Sequence, residues 1–129
     1  MVTGLESHVA FRALNEFDKP ADVEGVVMTE KGSQVVAFAS FHQGMGDFKF
    51  TPQPNEKYTV KITKPEGIRE IFNLPQALPR GYVMNLDNSK DGELVLNINT
   101  TETEALSLVA QVRGKIYYST LLDAKKGNN

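Results

Sequence analysis

Apolar and polar residues alternate along most of this chain with a period of two. Val9, Phe11 and Ala13 stand against His8, Ala10 and Arg12; Phe48 and Phe50 stand against Asp47 and Lys49. Tyr58, Val60 and Ile62 alternate with Lys57, Thr59 and Lys61. Tyr82, Met84 and Leu86 share a parity, as do Leu94, Leu96 and Ile98, and then Leu106, Leu108, Ala110 and Val112, followed by Ile116 and Tyr118. Successive side chains of a strand point to opposite faces, so each set lies on one side of a sheet. The pattern predicts half-buried β-strands, about nine or ten of them. Two stretches, 23–28 and 35–41, are apolar on both parities. They predict central strands covered on both faces, or strands carrying a bulge, with Gly25 as a bulge site. Ile68 to Leu74 leaves room for one helical turn before Pro75.

Turn residues separate these segments. Asp18-Lys19-Pro20, Glu30-Lys31-Gly32-Ser33, Gln43-Gly44-Met45-Gly46, Pro52-Gln53-Pro54-Asn55 and Lys64-Pro65-Glu66-Gly67 follow one another down the chain. Ser89-Lys90-Asp91-Gly92 reads as a hairpin, because Asp-Gly suits a type I′ turn. Strands this short, with turns at this spacing, predict an all-β fold: an antiparallel β-sandwich, or two small packed β units. The loop-rich stretch 65–80 holds three of the six prolines and is the natural boundary. Residues 5–64 then form a first unit and 65–124 a second.

Composition narrows the function classes. The 129 residues carry 14 Lys+Arg and 16 Asp+Glu, a formal net charge of -2. The charge is even: residues 1–64 and 65–129 each hold seven basic and eight acidic residues. Neither half is the basic surface that nucleic acid or an anionic membrane demands. The longest apolar run, Val35 to Ala39, is far short of the roughly 20 residues of a membrane helix. The start, Met1 to His8, has neither an apolar run nor a basic opening and is not a signal peptide. The polar tail Lys125 to Asn129 is expected to fray. With no Cys in the chain, disulfides, Cys-ligated zinc and thiol catalysis are excluded.

Few residues carry chemistry. The two histidines, His8 and His42, are 34 positions apart and have no ligand at close spacing. His42 lies near Ser40 and Asp47, but no nucleophile elbow is present, and a polar strand-end residue accounts for it. Asp87 to Gly92 mimics the start of a calcium loop, yet its twelfth position is Ile98 rather than a bidentate Glu. Asn99-Thr100-Thr101 fits a glycosylation acceptor. The candidate ligand- or partner-binding residues are Phe41, His42, Met45, Tyr117 and Tyr118: Met45 at a glycine-flanked tip is hard to bury, and two adjacent tyrosines cannot both enter a core. No catalytic residue, metal ligand or cofactor is expected.

Residues 9–62 read as one phrase: Val9-Ala10-Phe11-Arg12, Asp18-Lys19-Pro20, Val23-Glu24-Gly25-Val26-Val27, Lys31-Gly32, Gly46-Asp47-Phe48-Lys49-Phe50-Thr51-Pro52, and Tyr58-Thr59-Val60. The phrase resembles the macroglobulin-type β-sandwich module and is similar to the transthyretin-like regulatory domain of carboxypeptidases. It covers just under half of the chain. His42-Gln43-Gly44-Met45-Gly46 is similar to modules of large exported bacterial proteins that precede a TonB-receptor plug-like domain. The resemblance implies an immunoglobulin-like or transthyretin-like sandwich and a cell-envelope location, periplasmic or outer-membrane-associated. It also implies a non-catalytic part in spacing and docking neighbouring domains. Partners would be flanking domains of the same polypeptide or another envelope protein. Macroglobulin modules open with an extra edge strand, for which Met1 to Ser7 is a poor candidate. The alternative reading is a carbohydrate- or peptide-binding module of an outer-membrane nutrient-uptake system; a hydrolase using His42 is a further rival.

Overall fold

A computed structural model describes all 129 residues. It holds eleven strands and no helix: β1 (Ser7–Arg12), β2 (Glu24–Thr29), β3 (Gln34–His42), β4 (Met45–Phe50), β5 (Tyr58–Lys64), β6 (Ile71–Asn73), β7 (Tyr82–Asp87), β8 (Val95–Thr100), β9 (Glu104–Val112), β10 (Lys115–Ala124) and β11 (Gly127–Asn128). Every pairing between these strands is antiparallel. The architecture is all-β and sandwich-like, as the alternation predicts. The helical turn expected within 68–74 is absent: β6 runs there in extended form and pairs with β5, because Leu74 docks its N–H on the Tyr58 carbonyl at 3.0 Å. The chain divides into two compact units, Met1–Pro79 and Arg80–Asn129. The division comes at the end of the proline-rich stretch, so β6 and the segment after it belong with the first unit.

In the first unit six strands form one sheet in the order β1-β4-β3-β2-β5-β6. β2, β3 and β4 form a meander, while β1 and β5 reach their places by longer connections. β2 and β3 are central, as their apolar sequence predicts. Their double parity does not come from cover on both faces. Val35 and Phe41 are extra residues at irregularities in pairing, and Ala37 and Ala39 face solvent. The irregularity beside Gly25 lies on its β5 side, with Thr63 as the unpaired residue. The sheet curls on itself. Val2, ahead of β1, bridges Leu78, beyond β6, and so joins segments from opposite ends of the strand order. The Thr3 N–H donates to the Leu78 carbonyl at 2.9 Å, and the Gly4 N–H to the Pro52 carbonyl at 2.8 Å. The polar-looking N-terminus is therefore part of the packed unit.

The concave face holds the core: Val23, Val27, Phe38, Phe48, Phe50 and Tyr58. Burying a side chain such as Val27 fully contributes roughly 1.5–3 kcal/mol. The aromatic rings form a continuous row. Phe11 meets Phe38 edge-on at 4.8 Å, Phe38 stacks on Phe48 at 5.3 Å, and Phe50 meets Tyr58 edge-on at 5.0 Å. Two glycines make room for this row. Gly25 is the cross-strand partner of Phe38, and Gly46 that of Phe11. A Cβ on Gly46 would strike the Phe11 ring and lie 2.7 Å from the Ala39 carbonyl oxygen. A ring laid over a cross-strand glycine fills the space its missing side chain leaves.

The second unit has a three-stranded sheet, β11-β8-β7, and a separate two-stranded ribbon, β9-β10. The tail does not fray. β11 pairs with Asn99 and Thr100 of β8, and Ile98 and Asn129 exchange backbone hydrogen bonds at 2.9 and 3.0 Å. Gly127, with φ 104°, supplies the backbone turn, and the Asn129 side chain binds back to Lys125. β7 and β8 are joined by a seven-residue loop, 88–94, rather than a tight hairpin. In it Gly92 has positive φ but Asp91 does not, and Glu93 N–H returns to the Lys90 carbonyl at 3.2 Å. A type I′ turn needs both central residues at positive φ, so that turn is not formed.

Candidate functional site

Three of the five candidate residues lie together at one end of the first unit. The β3–β4 hairpin turns through Gln43 and Gly44, whose φ values of 47° and 73° suit a type I′ turn. His42 pairs with Met45 across the hairpin, and Met45 pairs with Arg12 of β1 on its other side. Cross-strand partners share a face, so His42, Met45 and Arg12 form an outward patch. Phe41 is the residue skipped where the pairing shifts between Ser40 and His42, and it is 73% exposed.

The tip is locked from below. Asp22 Oδ1 accepts the Gly44 N–H at 3.2 Å and the Ser40 hydroxyl at 3.3 Å, and Ser40 Oγ accepts the Val23 N–H at 2.9 Å. The Ala13 N–H donates to the Gly44 carbonyl at 2.8 Å. Sequence reading misses Asp22: its partners are 18 and 22 positions away, and no local signal points to it.

The hydroxyl and the carboxylate nearest His42 in sequence have other partners. Ser40 is bonded to Asp22, while Asp47 pairs with His8 Nε2 at 3.2 Å rather than with His42. The His8–Asp47 pair is half-exposed on the outer face of β1 and β4, where such pairs are worth little. The histidines stand on different strands, and no hydrogen bond connects them.

Tyr117 and Tyr118 lie on the β9–β10 ribbon of the second unit. Tyr117 is skipped where the pairing shifts between Ile116 and Tyr118, so the strict alternation expected for adjacent rings is broken there. Lys115 Nζ sits 5.5 Å from the centroid of the Tyr117 ring. Both tyrosines are exposed. In the 88–94 loop, Asp87 Oδ1 accepts the Ser89 N–H at 2.8 Å, and that bond holds its carboxyl below the usual aspartate range. The residue at the twelfth loop position, Ile98, is buried in the sheet.

One groove had no sequence signature. It measures about 680 Å³ and lies along β2, β5 and the 67–71 segment, with Met28, Ile68 and Ile71 as apolar lining and Lys61, Arg69 and Glu30 as charges. It depends on which strands pair, which the alternation does not specify. No helix of the chain is long and apolar enough to cross a membrane. Comparison with known protein families, characterised proteins and solved structures finds no match to this chain.

Proposed function

We propose that this chain is a non-catalytic structural and interaction module of a larger exported cell-envelope protein, spacing and docking neighbouring domains. One observation carries the reading. A hairpin tip bearing Phe41, His42 and Met45 is bonded to Asp22 and Ala13 and faces outward, so it presents a preformed contact at little ordering cost. The aromatic row beneath gives that tip a stiff base, and rigid scaffolds that display loops are a common binding design. The Gly46 to Pro52 phrase is the part of the sequence that carries the macroglobulin-type and transthyretin-like resemblance; in the fold its Phe48 and Phe50 fill the core while Gly46 receives Phe11. That resemblance carries the envelope location and the domain-docking part.

The test is a photo-crosslinking amino acid placed at Phe41 in the parent protein inside cells. An adduct with a flanking domain or a second envelope protein supports the proposal. The same probe at exposed Lys31, on the β2–β3 turn, gives the background. Equal labelling at both positions would remove the tip from consideration.

The groove beside β5 favours peptide over sugar in the alternative reading. It has apolar lining with two cations and one carboxylate, Glu30, and no aromatic platform. A peptide with an acidic end and apolar side chains should shift the amide resonances of Lys61 and Arg69 in an NMR titration. Unmoved resonances at millimolar peptide would end that reading.

A further inference from the structure

The loop joining β7 to β8 holds two residue pairs with the same latent chemistry. Where Asn or Asp precedes a small residue, the next backbone nitrogen can attack the side-chain carbonyl carbon and close a succinimide ring. Of the Asn and Asp residues in this chain, three precede Ser, Gly or Ala: Asn88-Ser89, Asp91-Gly92 and Asp123-Ala124. The last is held in β10, where Asp123 pairs with Ala105 and Ala124 is fully buried. The other two are exposed in the 88–94 loop.

The fold treats these two differently. At Asn88 the attacking atom would be the Ser89 nitrogen, and its N–H donates to Asp87 Oδ1 at 2.8 Å. A charged acceptor strengthens that bond, and it opposes both loss of the proton and rotation of the amide towards Asn88. The Gly92 nitrogen has no such partner. The turn around it closes through the Glu93 N–H on the Lys90 carbonyl at 3.2 Å and through Lys90 Nζ, 4.0 Å from Glu93 Oε2. Neither contact uses the Gly92 N–H or the Asp91 carboxyl. A Cβ placed on Gly92 would meet nothing within 4 Å, so a ring has room to close there.

We propose that Asp91-Gly92 is a site of isoaspartate formation, and that Asp87 shields the neighbouring Asn88-Ser89 pair from the same reaction. The Gly92 nitrogen bonds to Asp91 Cγ and gives up its proton, and the carboxyl, reacting as the acid, releases one oxygen as water. Water then adds to the ring. Opening at Cγ restores aspartate. Opening at the Asp91 main-chain carbonyl carbon leaves the backbone running through the side chain, with a free α-carboxylate. Nothing is oxidised or reduced, and the mass is unchanged. At Asn88 the same route would release ammonia and leave an acid. The product lengthens the β7–β8 connection by one methylene and exposes the carboxylate that isoaspartyl methyltransferases esterify. The site lies in the second unit and is independent of the Phe41 tip.

The test is to age the whole chain at neutral pH and follow its peptides by mass spectrometry, with electron-transfer fragmentation to separate isoaspartate from aspartate. A synthetic peptide of residues 84–95 carrying Asp87→Ala, aged alongside, gives the reactivity without the fold. Isoaspartate should accumulate at position 91 of the folded chain. The ratio of Asn88 deamidation to Asp91 conversion should fall about threefold or more below its value in the peptide, as one net hydrogen bond would impose. Asp87→Ala in the whole chain should speed Asn88 loss and leave Asp91 conversion unchanged. An isoaspartyl methyltransferase with labelled S-adenosylmethionine should methylate the position-91 fragment of the aged chain and not that of aged Asp91→Glu. A chain without isoaspartate at 91 once the peptide has converted overturns the proposal. So does an equal ratio in chain and peptide, or a folded Asp87→Ala chain that loses Asn88 no faster. Circular dichroism checks folding, and if Asp87→Ala fails to fold, the ratio in the unaltered chain decides the matter.

Discussion

Tyr58 does two jobs from one position. Its ring closes the aromatic row against Phe50, and its hydroxyl oxygen accepts the Gln53 N–H at 2.8 Å, tying down the loop that follows β4. Tyr58→Phe keeps the ring and removes the acceptor, leaving a part-buried donor unpaired. The expected cost is about 1–3 kcal/mol, read as a lower urea midpoint with an unchanged slope. A loss too small to measure would mean that water takes over as the Gln53 acceptor. Asp87 makes a subtler prediction. The Ser89 backbone N–H, and then its hydroxyl, bond to the charged carboxylate and depress its pKa in the folded chain. A depressed carboxylate gives its contribution above the unfolded value and loses it as pH falls through the folded one. The group is fully exposed, so the effect belongs to the local loop. The Ser89 amide resonance should titrate with a midpoint below that of an aspartate in a short peptide; a midpoint at or above it would mean the loop bond does not persist in water.

The β3–β4 hairpin shows how an element is held by a residue outside it. Asp22→Ala would strip acceptors from the Gly44 N–H and the Ser40 hydroxyl together, and Gly44 is buried. The expected cost is about 1–3 kcal/mol, with faster amide exchange at Gly44 and Met45 and unchanged exchange across β9 and β10. Asp22→Asn keeps an acceptor oxygen and should restore most of the protection. If Asp22→Ala leaves exchange at Gly44 unaltered, the tip is held by the Ala13 bond alone. This element also shows what can be read from a chain and what cannot. Alternation placed Phe48 and Phe50 in the core because a strand sends every second side chain the same way. Gly44 was legible as a turn residue because positive φ strongly favours glycine. The glycine requirement at Gly46 was not legible: it arises from the Phe11 ring opposite, and that neighbour follows from register between strands far apart in the chain. The same holds for Asp22, for the His8–Asp47 pair that a search around His42 would not find, and for the pinned tail, whose partner strand begins about 30 residues earlier. The Phe41, His42 and Met45 patch could be foreseen because it is local to one hairpin; Tyr117 and Tyr118 belong elsewhere.

The two units differ in how well each buries its own apolar residues. Met1–Pro79 holds Val2, Val23, Val27, Phe38, Phe48, Phe50 and Tyr58 below a tenth exposed, whereas Arg80–Asn129 holds only Ile98 and Ala124 among its apolar residues. Hydrophobic burial is the main favourable contribution to folding, so the first unit should be self-sufficient and the second marginal as an isolated copy. Two outcomes follow at the scale of the whole chain. Residues 1–79 produced alone should unfold in one cooperative urea transition, with β2, β3 and β4 amides exchanging last. In the full chain, residue-resolved exchange should show β9 and β10 opening first, at a free energy well below that of the first unit. Equal protection in both units would mean that the ribbon is stable despite its exposed apolar residues.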